Sequence, residues 1–176
     1  HAPNKLTNMS AAQNRVMKSN YYSKVTLIDD CVGRIIDTLK NLNLINNTWI
    51  VFSSDHGEML GDHGLLAKKV FYDGAVNVPC LFRSPQGEGQ GTILTLTCHL
   101  DIVATLIDIS GAEPLKTTDG HSMLPMLLGE PIENPRTAVL SELGLPPSAF
   151  IMVRTEDQKL SVDAVSRQPI EHYDLN

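Results

Sequence analysis

The residues best equipped for chemistry lie between Ser53 and Lys69, in the stretch SSDHGEMLGDHGLLAKK. Asp55 and His56 directly follow the apolar run WIVF, and Gly57 follows them. A carboxylate oxygen and a neutral imidazole nitrogen make a plausible half of a metal shell. An oxygen-rich remainder would favour Ca²⁺, Mg²⁺ or Mn²⁺ over zinc. Successive strand side chains point to opposite faces, so both reach one centre only if the main chain turns there. Gly57 gives it that freedom. The same trio also suits an ordinary turn in which the Asp bonds its own main chain. Lys68 and Lys69 close the stretch. A lysine in a loop is usually just solvated, but beside a metal its ammonium is a compact cation suited to a tetrahedral oxyanion. A second triplet, Asp62-His63-Gly64, begins seven residues after the first. It could stand behind the metal ligands; we read it as a loop turn held by Asp62.

These residues need a scaffold, and the pattern around them supplies one. Val25, Ile28, Val32, Ile35, Ile36, Leu39 and Leu42 recur at steps of three and four, which predicts an amphipathic helix of about 20 residues beginning near Tyr21. Residues 1–19 read as polar and irregular. TWIVFS reads as a strand buried on both faces, as in a parallel sheet. Residues 54–76 then form a long loop, and long loops are usually functional. VPCLFR and TILTLTC read as two more strands, and residues 99–110 as a helix with Ile102, Val103, Leu106 and Ile107 on its apolar face. Asp101 lies in the first turn of that helix, and Gly111 suits its C-terminal cap. SMLPMLLG predicts a short helix; TAVLSEL, FIMVRT and KLSVDAV alternate like a small antiparallel sheet. The expected fold class is α/β: part of a mixed, mainly parallel sheet flanked by helices, with a small C-terminal antiparallel α+β lobe. The division falls between residues 1–135 and 136–176.

Bulk composition narrows the function classes. The 176 residues suffice for one domain with a core, and 42% hydrophobic with 19% charged residues is an ordinary globular balance. The net charge of −6 and the absence of a Lys/Arg-rich block argue against nucleic acid. No apolar run approaches the ~20 residues of a membrane span. Cys31, Cys80 and Cys98 form no paired motif, and all three are expected to be buried thiols, Cys31 on a helix and the others on strands. The chain starts at His1 without an initiator Met, so it is expected to be a piece of a longer protein.

The stretch NTWIVFSSDHGEMLGDHGLLAKKVFYDGAVNVPCLFRSP closely resembles the second half of the type I sulfatases, within the alkaline phosphatase superfamily. Those enzymes show an apolar strand, Ser-Asp-His/Asn-Gly, a Gly-(Glu/Asp)-His-Gly loop, a lysine and a Val-Pro strand. The flanks YYSKVTLIDDCVGRIIDTLKNLNLI, CHLDIVATLIDISGAEP, DGHSMLPMLLGE, VRTEDQKLSV and EHYDLN resemble further family segments in the same order. The resemblance implies that Asp55 and His56 bind the metal and that Lys68, eleven residues before Pro79, binds sulfate. It implies that His1, in HAP, is the histidine that contacts the sulfate. Asn77 departs from the Arg or His often found before Val-Pro. The family nucleophile, a formylglycine made in a Cys/Ser-x-Pro-x-Arg segment, has no match in these 176 residues.

The implied activity is therefore sulfate ester hydrolysis by the intact protein. The implied cofactors are a divalent metal, Ca²⁺ foremost with Mn²⁺ or Mg²⁺ as alternatives, and formylglycine from an upstream segment. The implied partners are a sulfated small molecule or sugar and the missing N-terminal half of the same protein, with self-association of this piece as a further expectation. Two other readings stand beside it: a phosphonate monoester or phosphodiester hydrolase of the same superfamily, and a non-catalytic assembly domain with an exposed apolar face.

Overall fold

The computed structural model describes residues 4–5, 9–87, 91–132 and 134–176. The chain divides into two compact units, His1–Gly87 and Glu88–Asn176. No helix among the described residues is long and apolar enough to cross a membrane.

The first unit opens with the two-residue strand β1 (Asn4–Lys5) and helix α1 (Ala11–Asn41). The helix begins ten residues before the expected start at Tyr21. Ser10 is the reason. Its hydroxyl accepts from Gln13 N at 3.2 Å, and Gln13 Oε1 accepts from Ser10 N at 2.8 Å. This reciprocal pair satisfies two otherwise orphaned N–H groups and fixes the first turn. Residues 11–19 lack an apolar period, so periodicity misses them while capping does not. The apolar stripe is present but wet: α1 contains no buried residue, with Val25 47%, Ile28 50% and Ile35 60% exposed.

A short 3₁₀ turn, Ile45–Asn47, leads into β2 (Ile50–Ser53). After the loop come β3 (Leu65–Leu66), the single-turn helix α2 (Asp73–Val76) and β4 (Cys80–Arg83). β1 pairs with β3, and β2 pairs with β4 in the register Ile50↔Arg83 to Ser53↔Cys80. Both pairs are antiparallel, which overturns the mainly parallel sheet for the described residues. The physical reason is where the loop sits. Cys80 lies beside Ser53, so residues 54–79 leave and return at one end of the ladder, whereas a parallel pair needs a crossover to the opposite end. Nor is β2 buried on both faces: the opposed pair Phe52 and Leu81 is 36% and 62% exposed. The core of this unit lies under the loop instead, where Met59, Leu65 and Ala75 pack with Val70, Tyr72 and Val76.

In the second unit, residues 92–98 form no strand; Leu94 is 90% exposed and the stretch has no ladder partner. Alternating Thr and Leu fit a strand, but a strand without a neighbour leaves its main-chain groups to solvent. Helix α3 (His99–Ser110) has the expected bounds and ends on Gly111 in the left-handed conformation, φ 67°. Its buried side is only partly the expected one, for of the expected face Ile102 and Ile107 alone are half-buried. Val103 and Leu106 are exposed, while Asp101 and Thr105 are buried. Helix α4 (Leu124–Leu127) follows, then β5 (Val139–Leu143), β6 (Phe150–Arg154), β7 (Gln158–Asp163) and β8 (Pro169–Asp174). The four strands form an antiparallel meander in chain order, with a register shift between Ser161 and Val162. Met152 at 2% exposure anchors it.

Polar groups explain why Asp101 and Thr105 are the buried residues of α3. Asp101 Oδ1 accepts from His121 N at 2.8 Å, and Oδ2 accepts from Cys98 N at 2.8 Å and Arg136 Nε at 3.1 Å. Arg136 Nη2 also bonds Asp101 Oδ1 and reaches Asp119 O at 2.8 Å. Thr105 Oγ1 donates to Asp101 O at 2.5 Å and accepts from Met123 N at 2.8 Å. A buried carboxylate is tolerable only with such partners. Burial pushes the Asp101 carboxyl up, but the Arg136 bond and the two main-chain N–H groups outweigh it and hold it below the usual range. The cysteines depart from expectation too: Cys31 and Cys80 are exposed, and Cys98, half-buried, precedes α3 instead of lying on a strand.

Candidate active site

The ladder end at Ser53 and Cys80 carries the candidate residues. The chain turns at once after β2. Ser54 Oγ donates to His56 O at 2.8 Å, His56 N donates to Asp55 Oδ1 at 2.9 Å, and Gly57 N donates to Ala75 O at 2.8 Å. Gly57 is required there, because a Cβ at this position would stand 2.1 Å from Gly74 O. The close approach of these two main-chain segments pins the turn against α2.

The turn brings Asp55 and His56 to one side. Asp55 Oδ2 and His56 Nε2 are 3.2 Å apart. His56 Nδ1 faces Gly57 O at 2.9 Å. A carbonyl only accepts, so Nδ1 carries the proton and Nε2 keeps its lone pair. Lys68 Nζ meets that same Nε2. Desolvation pushes the Asp55 carboxyl up, but the His56 N–H bond and the nearby Lys68 ammonium outweigh it and hold the carboxyl below the ordinary carboxylate range. Asp55 is thus ready to serve as an anion, with 82% of its side chain exposed.

The donor set fits a divalent cation. Two donors 3.2 Å apart can share an ion at the ~2.4 Å typical of calcium–oxygen bonds. The lone pair at Nε2 carries no proton of its own and is engaged by the Lys68 ammonium, which a metal ion would have to displace. Two donors do not make a full shell. Among the described residues no group of three or more His, Cys, Asp or Glu side chains could hold a metal. The remaining ligands would have to come from elsewhere.

Lys68 reaches the site through a loop in which Leu60 (φ 49°) and Ala67 (φ 64°) lie in the left-handed region, as does His63 (φ 54°). Between them Asp62–Gly64 forms a 3₁₀ turn held by main-chain bonds, Asp62 N to Met59 O at 2.8 Å and Gly64 N to Gly61 O at 3.0 Å. The Asp62 carboxylate points elsewhere, to Lys18 Nζ at 3.8 Å. The His63 ring stacks on Tyr72 with centroids 4.2 Å apart. Glu58, which the sequence reading passed over, accepts from Ala67 N at 2.6 Å. Its signal was faint: a lone carboxylate after a glycine, in a loop with no period. Of the sequence-derived set, Asp55, His56 and Lys68 come together; His1 lies outside the described residues.

Asp55, His56 and Lys68 thus gather a carboxylate, an imidazole nitrogen and an ammonium at the end of a short ladder. Comparison with known proteins gives the family. The sulfatase family matches residues 1–112, and the C-terminal family described as N-sulphoglucosamine sulphohydrolase matches residues 61–175. The chain belongs to the sulfatase family of the alkaline phosphatase superfamily. It is 34% identical over 173 residues to a choline-sulfatase of Rhizobium meliloti (strain 1021), covering 96% of this chain and 33% of that protein. A phosphonate monoester hydrolase of Agrobacterium radiobacter superposes with a TM-score of 0.84 at 30% identity, covering 94% of this chain and 36% of that one. BT4656, solved in complex with its substrate D-glucosamine-2-N,6-O-disulfate, superposes at 0.71 with 25% identity, covering 85% and 32%. The chain spans about a third of the length of the curated relatives it matches.

Proposed function

We propose that this chain is the C-terminal part of a sulfatase that hydrolyses sulfate esters with a divalent metal and a formylglycine nucleophile from outside these 176 residues. The observation that carries this reading is the convergence of Asp55, His56 and Lys68 at the end of β2. Asp55 and His56 Nε2 would hold the cation, with Ca²⁺ favoured by an oxygen-rich shell and Mn²⁺ or Mg²⁺ compatible with the same donors. The metal, when bound, supplies charge neutralisation at the sulfate oxygens. Lys68 would stabilise a non-bridging or leaving oxygen, an electrostatic contribution that often dominates such catalysis. The Nδ1–H bond to Gly57 O keeps His56 in the tautomer that presents its lone pair outward. His1 would contact the leaving-group oxygen. Residues 1–135 would belong to the catalytic domain and 136–176 to a C-terminal subdomain. Parallel strands of the catalytic sheet, if present in the whole protein, would come from outside the chain.

The substrate would be a sulfated small molecule or sugar, a reading supported by the disulfated glucosamine bound to BT4656. The structural likeness to a phosphonate monoester hydrolase favours a second reading, hydrolysis of phosphonate monoesters or phosphodiesters at the same site. The exposed stripe on α1 favours a contribution of a different kind, assembly against the rest of the protein. One experiment separates the enzymatic readings. The longer protein carrying this chain is assayed with an aryl sulfate, an aryl phosphonate monoester and a phosphodiester, with and without a chelator. Sulfate turnover in excess of the other two, lost with the chelator, supports the sulfatase reading; preference for a phosphorus ester replaces it.

A further inference from the structure

Lys68 has to double back to meet His56, and along the way three non-glycine residues lie in the left-handed region, Leu60, His63 and Ala67. Such residues are strained and persist only where their surroundings hold them. One atom holds the first and the last. Glu58 Oε1 accepts from Ala67 N at 2.6 Å and from Leu60 N at 3.3 Å. The next residue, Met59, closes the bracket by donating from its N to Ala67 O at 3.0 Å, and its side chain is 1% exposed in the core below.

We propose that Glu58 is a positioning residue for Lys68. It acts through the main chain at residues 60 and 67 and touches neither cation nor substrate. Its Oε1 is committed to main-chain N–H groups, so its contribution is to fix the Leu66–Ala67 peptide, one residue ahead of Lys68. An ammonium misplaced by about 1 Å is enough to cost ~100-fold in turnover, so a clamp one residue from Lys68 has leverage on the reaction. This inference rests on the reading of Lys68 as the oxyanion-binding group.

The test uses Glu58→Ala, Glu58→Gln, Glu58→Asp and Lys68→Ala in the longer protein. Glu58→Gln keeps a carbonyl oxygen in the place of Oε1, whereas Glu58→Asp keeps the charge but draws the oxygen back by one methylene. Glu58→Ala and Glu58→Asp are expected to lower kcat by roughly 10- to 100-fold. Glu58→Gln should stay within about threefold of the parent, and affinity for Mn²⁺ should not fall in the Glu58 variants because Asp55 and His56 are intact. The double variant Glu58→Ala/Lys68→Ala should be no slower than Lys68→Ala alone, the signature of two residues acting as one unit. Multiplying losses, loss of Mn²⁺ affinity in Glu58→Ala, or a Glu58→Gln variant as slow as Glu58→Ala would overturn the proposal. If Glu58→Ala fails to fold, Glu58→Asp decides: retained turnover sinks the idea. A second readout is independent of the reaction. Acetylation of Lys68 by a small anhydride, followed by mass spectrometry, should rise several-fold in Glu58→Asp and not in Glu58→Gln. An unchanged profile there overturns the clamp itself, while a changed profile in a protein that turns over no ester leaves the clamp standing and removes the enzymatic reading.

Discussion

A Cβ placed on Gly57 would stand 2.1 Å from the carbonyl oxygen of Gly74. Two main-chain segments, one leaving β2 and one opening α2, touch at this point, and His56 and Asp55 sit one and two residues upstream. The substitution Gly57→Ala should therefore separate them, lowering stability by about 1–3 kcal/mol from overpacking and weakening Mn²⁺ binding together. Gly33 offers the control. It lies within α1 with open space around its Cα, and Gly33→Ala should raise stability by about 0.5–1 kcal/mol through helix propensity. Thermal or urea unfolding of both variants checks the opposite signs.

Removing the ammonium should cost far more turnover than removing its neighbour. Lys68→Ala is expected to reduce kcat of the longer protein on its best ester by about 100- to 1000-fold, the range for loss of one preorganised oxyanion partner. Lys69→Ala should leave it within a few-fold. Steady-state kinetics on the two variants settles which lysine faces the oxyanion, and equal losses would reassign it.

The buried pair Asp101–Arg136 predicts a pH dependence of stability. The folded-state pKa of Asp101 is depressed below its unfolded value near 3.9. Its contribution is therefore present in full above that value and is lost as pH falls through the folded pKa. Urea midpoints should fall more steeply below pH 4 in the parent than in Asp101→Asn, which has no carboxyl to protonate. Arg136→Met leaves a buried carboxylate without its cation, and about 3–5 kcal/mol of destabilisation at pH 7 is expected.

The stripe on α1 predicts association. Val25, Ile28 and Ile35 are each about half exposed or more. The 176-residue chain should form dimers or larger species at micromolar concentration, and Val25→Lys with Ile35→Glu should shift it to monomer. Sedimentation velocity reads this directly. A monomeric parent would remove the support for assembly through this face.

Legibility in the sequence followed the kind of force at work. That Asp55 and His56 meet was legible from the turn that Gly57 permits after the strand, whereas Lys68 was singled out from Lys69 only by the family resemblance. The bounds of α3 and the first three strands of the meander, β5–β7, were visible because their periods are local; β8 was not read from its pattern. The antiparallel pairing of β2 and β4 was not, because an apolar run does not state its partner or direction. Asp101 was read as a helix-end charge, and only the distant Arg136 and His121 N show it to be the hub of a buried network. Glu58 was invisible for the same reason: its partners are main-chain N–H groups, which every residue but proline carries.

Helix α1 contains no buried residue, so its persistence in this chain falls to local bonds, a capped start and length. Thirty-one residues exceed the ~12–15 below which an isolated helix is marginal in water. Its amides should exchange with deuterium much sooner than those of the β6 and β7 strands. Any partner that covers the stripe would slow that exchange along one edge first, tracing its own footprint.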